Sequence, residues 1–195
     1  MSLTKTDIRN LCLAAVTFAI CALLPYGDNG YWLGLGVTVT MFTALATSWA
    51  LFSGPTHYIS LATAAFFGVG TYVTGLGIDS LPFWSLVALA GLIGALLAAL
   101  VGLATLRLSG VYFVIFTLGL AELVRQVITW VQNNTGQKGL YVLTDLDEAG
   151  IYWWLLALVA CVFLVGWLIG RSRLGFALRI IGDDETVAAH LGINT

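Results

Sequence analysis

Long apolar runs constrain this chain more than any other feature of its sequence. Residues 83–106, for example, contain no charged side chain. A helical run of about 20 apolar residues is long enough to cross the hydrocarbon core of a bilayer. Soluble domains carry about 25% charged residues, whereas this chain has 9% and is 59% hydrophobic. The alternative is a very apolar soluble protein, but so few charged residues cannot form its water-exposed surface. We therefore predict an all-α, polytopic integral membrane helical bundle.

We predict about six spans within a transmembrane domain of residues 1–170. They cover approximately residues 11–24, 31–52, 57–76, 83–106, 111–131 and 151–169. The turn at 53–56 carries no charge, so the third segment could be re-entrant instead of spanning. Lys5 and Arg9 precede the first apolar run as in a signal peptide, but Pro25-Tyr26-Gly27 offers no small-x-small cleavage site. An uncleaved first span is therefore favoured.

The distribution of lysine and arginine predicts the orientation, because these residues concentrate in cytoplasmic loops. With the N-terminus inside and six spans, Lys138 lies outside and Arg125 lies within a span. The remaining cations all fall on the cytoplasmic side: Lys5, Arg9, Arg107, Arg171, Arg173 and Arg179. We therefore predict that the N-terminus and the final segment, residues 171–195, are both cytoplasmic.

The sequence lacks the usual signatures of an enzyme or a metalloprotein. It contains no GxxxxGK[ST] phosphate loop, no HExxH and no calcium-binding loop. Cys12, Cys21 and Cys161 lie inside apolar runs and are interpreted as small core residues. Ser53 and His57 lack an orienting acid, so an intramembrane hydrolase or transferase is not supported. The net charge of −2 offers no basic surface for nucleic acid. We predict no cofactor, no metal, no catalytic residue and no enzymatic activity.

Two regions could line a polar pathway through the membrane. Glu122 and Arg125 are three residues apart in the fifth span and share one helix face. Charges at membrane depth usually face a bundle interior, a partner or water. We favour interior pairing beside a substrate path over snorkelling to headgroups. In the third segment, hydroxyl groups and glycines could serve the same path, or the hydroxyls could bond to their own helix. The candidate path residues are Ser60, Thr63, Gly68, Gly70, Thr117, Glu122 and Arg125.

The final segment predicts a short surface helix. Gly182 interrupts the preceding apolar sequence, and Asp183 can cap a new helix. Asp184 and Glu185 suit the positive end of that helix, and Gly192 can end it. The apolar positions at helical spacing are Val187, Ala188 and Leu191. A lone helix of this length is marginal in water, so it needs a surface. That surface is either lipid headgroups or a groove on a cytoplasmic partner.

The same segment resembles a known family. "SRLGFALRIIGDDETVAAHLGINT" is similar to the cytoplasmic loop of permeases in the branched-chain amino acid ABC transporter family, LivM-like branch. Two further motifs resemble that family in the same order along the chain: "SLATAAFFGVGTY" and "LRLSGVYFVIFTLGLAELVR". The first motif has Ala62-Thr63 where Gly-His is common. The second carries Arg107, Gly110, Tyr112, Thr117, Glu122 and Arg125. The resemblance covers nearly the whole chain from about Ser53 onward.

The resemblance implies a permease subunit of a bacterial inner-membrane importer for branched-chain or related amino acids. It implies cytoplasmic ATP-binding subunits, which hydrolyse the ATP, a second permease subunit and a periplasmic substrate-binding protein. Residues 171–195 would contain the coupling helix, with contacts to the ATP-binding subunit from Arg179, Asp183, Asp184, Glu185, Ala188, Ala189, Leu191 and Gly192. Alternatives are a permease for urea or short amides and a non-transporting membrane scaffold. Because such permeases usually continue with further spans, we expect the chain to be a fragment or truncated product.

Overall fold

The computed structural model describes residues 5–27, 30–78, 80–105, 108, 110–135, 147–183 and 185–190. Every regular element in these ranges is helical, as the long apolar runs predict. A 3₁₀ turn at Leu24–Tyr26 follows the first helix. The α-helices are α1 (Lys5–Ala22), α2 (Gly30–Thr56), α3 (Thr63–Gly77), α4 (Phe83–Thr105), α5 (Val111–Thr135), α6 (Glu148–Arg171), α7 (Arg173–Asp183) and α8 (Glu185–His190).

Within the described ranges, five helical segments are long and apolar enough to cross a bilayer. They are Arg9–Tyr26, Gly30–Thr56, Phe83–Thr105, Val111–Asn134 and Glu148–Arg171. The prediction of an all-α, polytopic membrane bundle is confirmed. The predicted third span differs, because α3 has 15 residues and extends only about 22 Å at the α-helical rise. Residues 57–62 before it are not helical, so the six-span count stays a prediction.

The break before α3 has a local cause. His57 has a φ of 56°, in the left-handed region that ends helices and that non-glycine residues rarely adopt. Helix α2 therefore stops at Thr56, two residues after Gly54 and directly after Pro55. Residues 57–62 then form a non-helical connection to α3, which we call the linker segment.

One structural unit comprises residues 1–51 and 145–195. Tyr152 of α6 lies at its centre, with 2% of its surface exposed. The Tyr152 hydroxyl donates a hydrogen bond to the carbonyl oxygen of Cys21, at 2.8 Å. Its ring also lies against Gly36 of α2, where an added Cβ would come within 3.1 Å of the ring. Tyr152 thus ties α6 to both α1 and α2.

Replacing Tyr152 with phenylalanine keeps the ring and removes only the hydroxyl group, with its hydrogen bonds to the Cys21 carbonyl and to Thr40. We expect the free energy of unfolding to fall by about 0.5–1 kcal/mol, the usual net worth of a hydrogen bond in a protein or membrane interior. Denaturation by SDS in mixed micelles measures the change. Tyr31→Phe is the matched control, because Tyr31 is 76% exposed and should be neutral. An equal loss in both variants would contradict the assigned role.

The second unit comprises residues 52–144 and contains α3, α4 and α5. Leu86 of α4 is fully buried against Gly77 of α3, where a Cβ would collide with the leucine side chain. Thr117 of α5 is 1% exposed. Its hydroxyl donates to the Val114 carbonyl at 2.9 Å and accepts the Leu61 N–H at 3.1 Å. This contact fastens the linker segment to α5.

Large apolar side chains also cover the outside of each unit. Ile20, Leu100 and Leu103, for example, are 64%, 67% and 70% exposed. In lipid such exposure carries no hydrophobic penalty. Cys12 and Cys161 are likewise exposed and Cys21 is half-buried. The prediction that the cysteines are core residues is therefore wrong for Cys12 and Cys161, because their helix faces are not covered by other elements of the unit.

Candidate functional site

Glu122 and Arg125 form a two-point ion pair near the middle of α5. Arg125 Nε lies 2.8 Å from Glu122 Oε2, and Arg125 Nη2 lies 2.6 Å from Glu122 Oε1. Gln126 Nε2 donates a third hydrogen bond to Glu122 Oε1, at 3.1 Å. Paired in this way, the two charges cancel at a depth where a single charge would be costly.

The pair borders a groove of about 330 Å³ between α3 and α5. Small residues form much of its wall: Ala64, Ala65 and Gly68 of α3 and Ala121 of α5. Longer apolar side chains, from Leu118, Val124 and Ile128, line it as well. We call this cavity the α3–α5 groove. It combines one compact pair of opposite charges with an otherwise almost entirely apolar wall.

The structure brings three of the predicted path residues together. Gly68, Glu122 and Arg125 all line the α3–α5 groove. Ser60 lies in the linker segment, where its hydroxyl accepts the Ala62 N–H at 3.4 Å. Thr63 begins α3 and Gly70 lies within it, and neither is among the groove residues. Thr117 is buried next to the groove with its hydroxyl already used.

Several groove residues are not evident from the sequence. Ala64, Ala65 and Ala121 carry no chemistry of their own, and their importance lies in the space that they leave free. Gln126 could have been identified, because Glu122 and Gln126 are four residues apart on one helix face. The alanines could be identified only once α3 is known to pack against α5.

The second candidate region is the corner between α6 and α7. Ser172 separates the two helices with extended backbone angles, φ −82° and ψ 165°. Its N–H and its hydroxyl both donate to the Ile169 carbonyl, at 3.0 and 2.8 Å. Its hydroxyl oxygen accepts the Gly175 N–H at 3.2 Å. Ser172 therefore donates hydrogen bonds to a carbonyl group at the end of α6, and its hydroxyl oxygen caps the N-terminus of α7.

Gly175 and Arg179 complete this corner, which we call the α6–α7 elbow. A Cβ on Gly175 would overlap the Ile169 carbonyl oxygen and lie 2.9 Å from the carbonyl carbon and 3.1 Å from Gly170 Cα. Arg179 Nη2 donates a hydrogen bond to the Gly170 carbonyl oxygen at 2.9 Å. This carbonyl lies in the last turn of α6, where carbonyl groups have no partner within the helix. Backbone contact and side-chain bonds together hold α7 at one angle to α6.

The final segment differs in detail from the sequence prediction. Gly182 does not interrupt a helix, because α7 continues through it to Asp183. Asp183 is therefore the last residue of α7 and not the cap immediately before α8, which begins at Glu185. Ala188 is fully buried, whereas Val187 is 49% exposed. Asp184, Leu191 and Gly192 lie outside the described residues, as do the side chains of Glu185 and Ala189.

Comparison with known proteins gives consistent matches. The family described as "Branched-chain amino acid transport system / permease component" matches residues 31–195. The chain is 34% identical to the high-affinity branched-chain amino acid transport system permease protein LivM of Salmonella typhimurium and 33% identical to that of Escherichia coli. Each comparison covers 83% of this chain and 43% of the relative. The chain thus spans less than half the length of these curated relatives. No solved structure matches it.

The family match extends from α2 to the end of the chain, and so it includes both the α3–α5 groove and the α6–α7 elbow. The three segments whose sequences resemble the family lie on these elements: the segment around Gly68 on α3, the Glu122–Arg125 stretch on α5, and the segment from Ser172 to Arg179 at the elbow. By this match and by its identity to the two LivM proteins, the chain belongs to the family of branched-chain amino acid transport permease components.

Proposed function

We propose that this chain acts as a transmembrane permease subunit of an ABC importer that moves branched-chain amino acids across the bacterial inner membrane. The observation that carries the proposal is the family match over residues 31–195, in a multi-pass protein with five span-length helices among its described residues. Both curated relatives are branched-chain amino acid permeases, which favours these substrates over urea or short amides.

The partners in this proposal are two cytoplasmic ATP-binding subunits, a second permease subunit and a periplasmic substrate-binding protein. ATP hydrolysis belongs to the ATP-binding subunits, because this sequence contains no GxxxxGK[ST] loop. The substrate passes beside the α3–α5 groove, which the Glu122–Arg125 ion pair borders.

Helix α8 is the coupling helix in this proposal and docks on an ATP-binding subunit. Val187 offers an exposed apolar contact, while buried Ala188 holds α8 within its own unit. The contacts of Ser172, Gly175 and Arg179 support this role, since they allow α7 to transmit motion to α6 without bending at the elbow. The distribution of lysine and arginine supports a cytoplasmic location for this end of the chain and for the N-terminus.

Reconstitution in proteoliposomes tests the proposal. The chain is assembled with its second permease subunit and ATP-binding subunits, and binding protein loaded with radiolabelled leucine is added outside. We expect leucine to accumulate inside only when ATP is enclosed and this chain is present. Labelled urea with its own loaded binding protein should not accumulate. A stable complex that hydrolyses ATP but accumulates no leucine would contradict the permease assignment and favour a scaffold.

A further inference from the structure

We propose that Glu122 and Arg125 form the recognition site for the two charged groups of a zwitterionic amino acid, which replaces their mutual ion pair during transport. Glu122 would bind the α-ammonium group and Arg125 the α-carboxylate, while the apolar side chain occupies the α3–α5 groove. This inference rests on the proposed function. It assigns a ligand chemistry to the groove and a separate task to each charged residue.

Charge balance supports the exchange. The pair is neutral when closed, and it stays neutral when a zwitterion supplies one ammonium and one carboxylate in its place. No net charge therefore enters the membrane at any stage, which avoids the main cost of ionic groups at that depth. A ligand with only one of the two groups would leave Glu122 or Arg125 unpaired and would be excluded.

The geometry of the pair also suits this ligand. Arg125 already presents Nε and Nη2 in a fork to two oxygens of one carboxylate, and a substrate carboxylate can take that fork in the same way. Gln126 donates to Glu122 Oε1 independently of Arg125, so Glu122 keeps one partner while the pair opens. The side chains of Glu122 and Arg125 are 48% and 70% exposed, respectively. Neighbouring residues of the unit therefore leave the pair accessible.

The groove supplies the apolar part of the site. Ala64, Ala65, Gly68 and Ala121 leave room beside the pair, in a volume of about 330 Å³. A branched aliphatic side chain there would contact Leu118, Val124 and Ile128. At Gly68 an added Cβ would lie 3.7 Å from Ile128, in ordinary contact, so a larger side chain at this position would extend into the groove. A mostly apolar pocket with a few polar groups that orient the ligand is typical of binding sites for small molecules.

Photolabelling tests this assignment directly. The assembled transporter in nanodiscs is irradiated with a leucine analogue that carries a diazirine in its side chain, and labelled residues are identified by mass spectrometry. We expect labels on groove residues such as Ala64 and Leu118. Leucine should compete. Leucinamide lacks the carboxylate and 4-methylpentanoate lacks the ammonium, and each should compete at least about tenfold more weakly, because each loses one charge-assisted contact. Equal competition by all three would overturn the inference.

Two sets of variants separate recognition from folding. Glu122→Gln with Arg125→Gln removes both membrane charges and leaves a neutral amide at each position, so insertion should not suffer. We expect it to lower groove labelling at least about tenfold. Gly68→Val should also block labelling by filling the groove. Gly102→Val is its control, because Gly102 lies on α4 of the same unit, does not line the groove and has nothing within 4 Å of an added Cβ. Unchanged labelling in the double variant would overturn the inference.

Parallel uptake measurements distinguish this inference from the proposed function. If the unaltered complex transports leucine and the double variant transports it equally well, the recognition site is wrong while the permease assignment stands. If the unaltered complex labels at the groove but transports no leucine, the permease assignment is wrong while leucine binding at the groove stands. Loss of both uptake and groove labelling in the double variant, with both retained in Gly102→Val, is the result that supports the inference.

Discussion

Replacing Gly175 with alanine should lower ATP-dependent leucine uptake by at least about tenfold, within the usual range of a coupling free energy. The added Cβ would meet the carbonyl of Ile169 and the backbone of Gly170, and neither is a flexible side chain that could rotate away. The corner between α6 and α7 must therefore open or turn. A changed angle at the elbow would misplace α8 relative to the ATP-binding subunit, even though the variant changes no residue in the groove.

Uptake and ATPase activity in proteoliposomes measure this effect. We expect the Gly175→Ala complex to assemble and to hydrolyse ATP, but to lose stimulation by the loaded binding protein. Gly150→Ala is the matched control. Gly150 is also a helical glycine of the same unit, but nothing lies within 4 Å of an added Cβ there. Normal, stimulated transport by Gly175→Ala would show that the elbow angle does not transmit coupling.

Replacing Thr117 with valine should lower the free energy of unfolding by about 1–3 kcal/mol, the cost of leaving a buried donor unsatisfied. Valine has nearly the same shape, but it cannot accept the Leu61 N–H. Water is scarce at this depth, so the N–H has no ready replacement partner. The linker segment would then lose its hydrogen bond to α5, leaving aromatic contacts such as that of Tyr58 with Phe113, whose ring centroids are 5.2 Å apart.

Thr117→Ser provides the control, because serine keeps the hydroxyl and loses only a methyl group. That loss should cost less than about 1 kcal/mol. Unfolding by SDS in mixed micelles compares the variants, and proteolysis at the linker segment reports whether it has loosened. If serine destabilises the protein more than valine does, packing of the methyl group and not the hydrogen bond fixes the linker segment.

The elbow gives a physical account of a sequence resemblance. Residues 172–179 lie within the segment that resembles the cytoplasmic loop of the family, and three of these residues, Ser172, Gly175 and Arg179, make the contacts of the elbow. The serine caps both helices, the glycine makes room for the Ile169 carbonyl, and the arginine satisfies the Gly170 carbonyl. In this chain, these three residues therefore hold the angle between α6 and α7.

Prediction from the sequence succeeded where the structure depends on the length and composition of a single apolar helix. The predicted fourth segment, 83–106, corresponds to α4 at Phe83–Thr105, and the sixth, 151–169, lies within α6. An uncharged run of this length has few alternatives in a membrane. The fold class follows from the length of such runs, and the pairing of Glu122 with Arg125 follows from their spacing of three residues on one helix.

Prediction from the sequence was less successful where contacts between helices determine the structure. Nothing in the composition near His57 signals a left-handed backbone, so the third segment was predicted to be continuous from residue 57. The sequence predicts a break at Gly182, but α7 continues through it, since a glycine inside a helix costs only about 1 kcal/mol. The groove alanines and the need for glycine at position 175 depend on atoms brought close by folding.

Cysteine cross-linking at α8 tests the central claim, that α8 meets an ATP-binding subunit in the cytoplasm. Cys12, Cys21 and Cys161 are first replaced by alanine, and Val187→Cys is introduced at an exposed position. Asn134→Cys, exposed at the end of α5, is the control for the opposite side. An impermeant maleimide on intact spheroplasts should label position 134 and not 187. In the assembled complex, Val187→Cys should cross-link to the ATP-binding subunit. Labelling of position 187 from the periplasmic side, without that cross-link, would contradict the account.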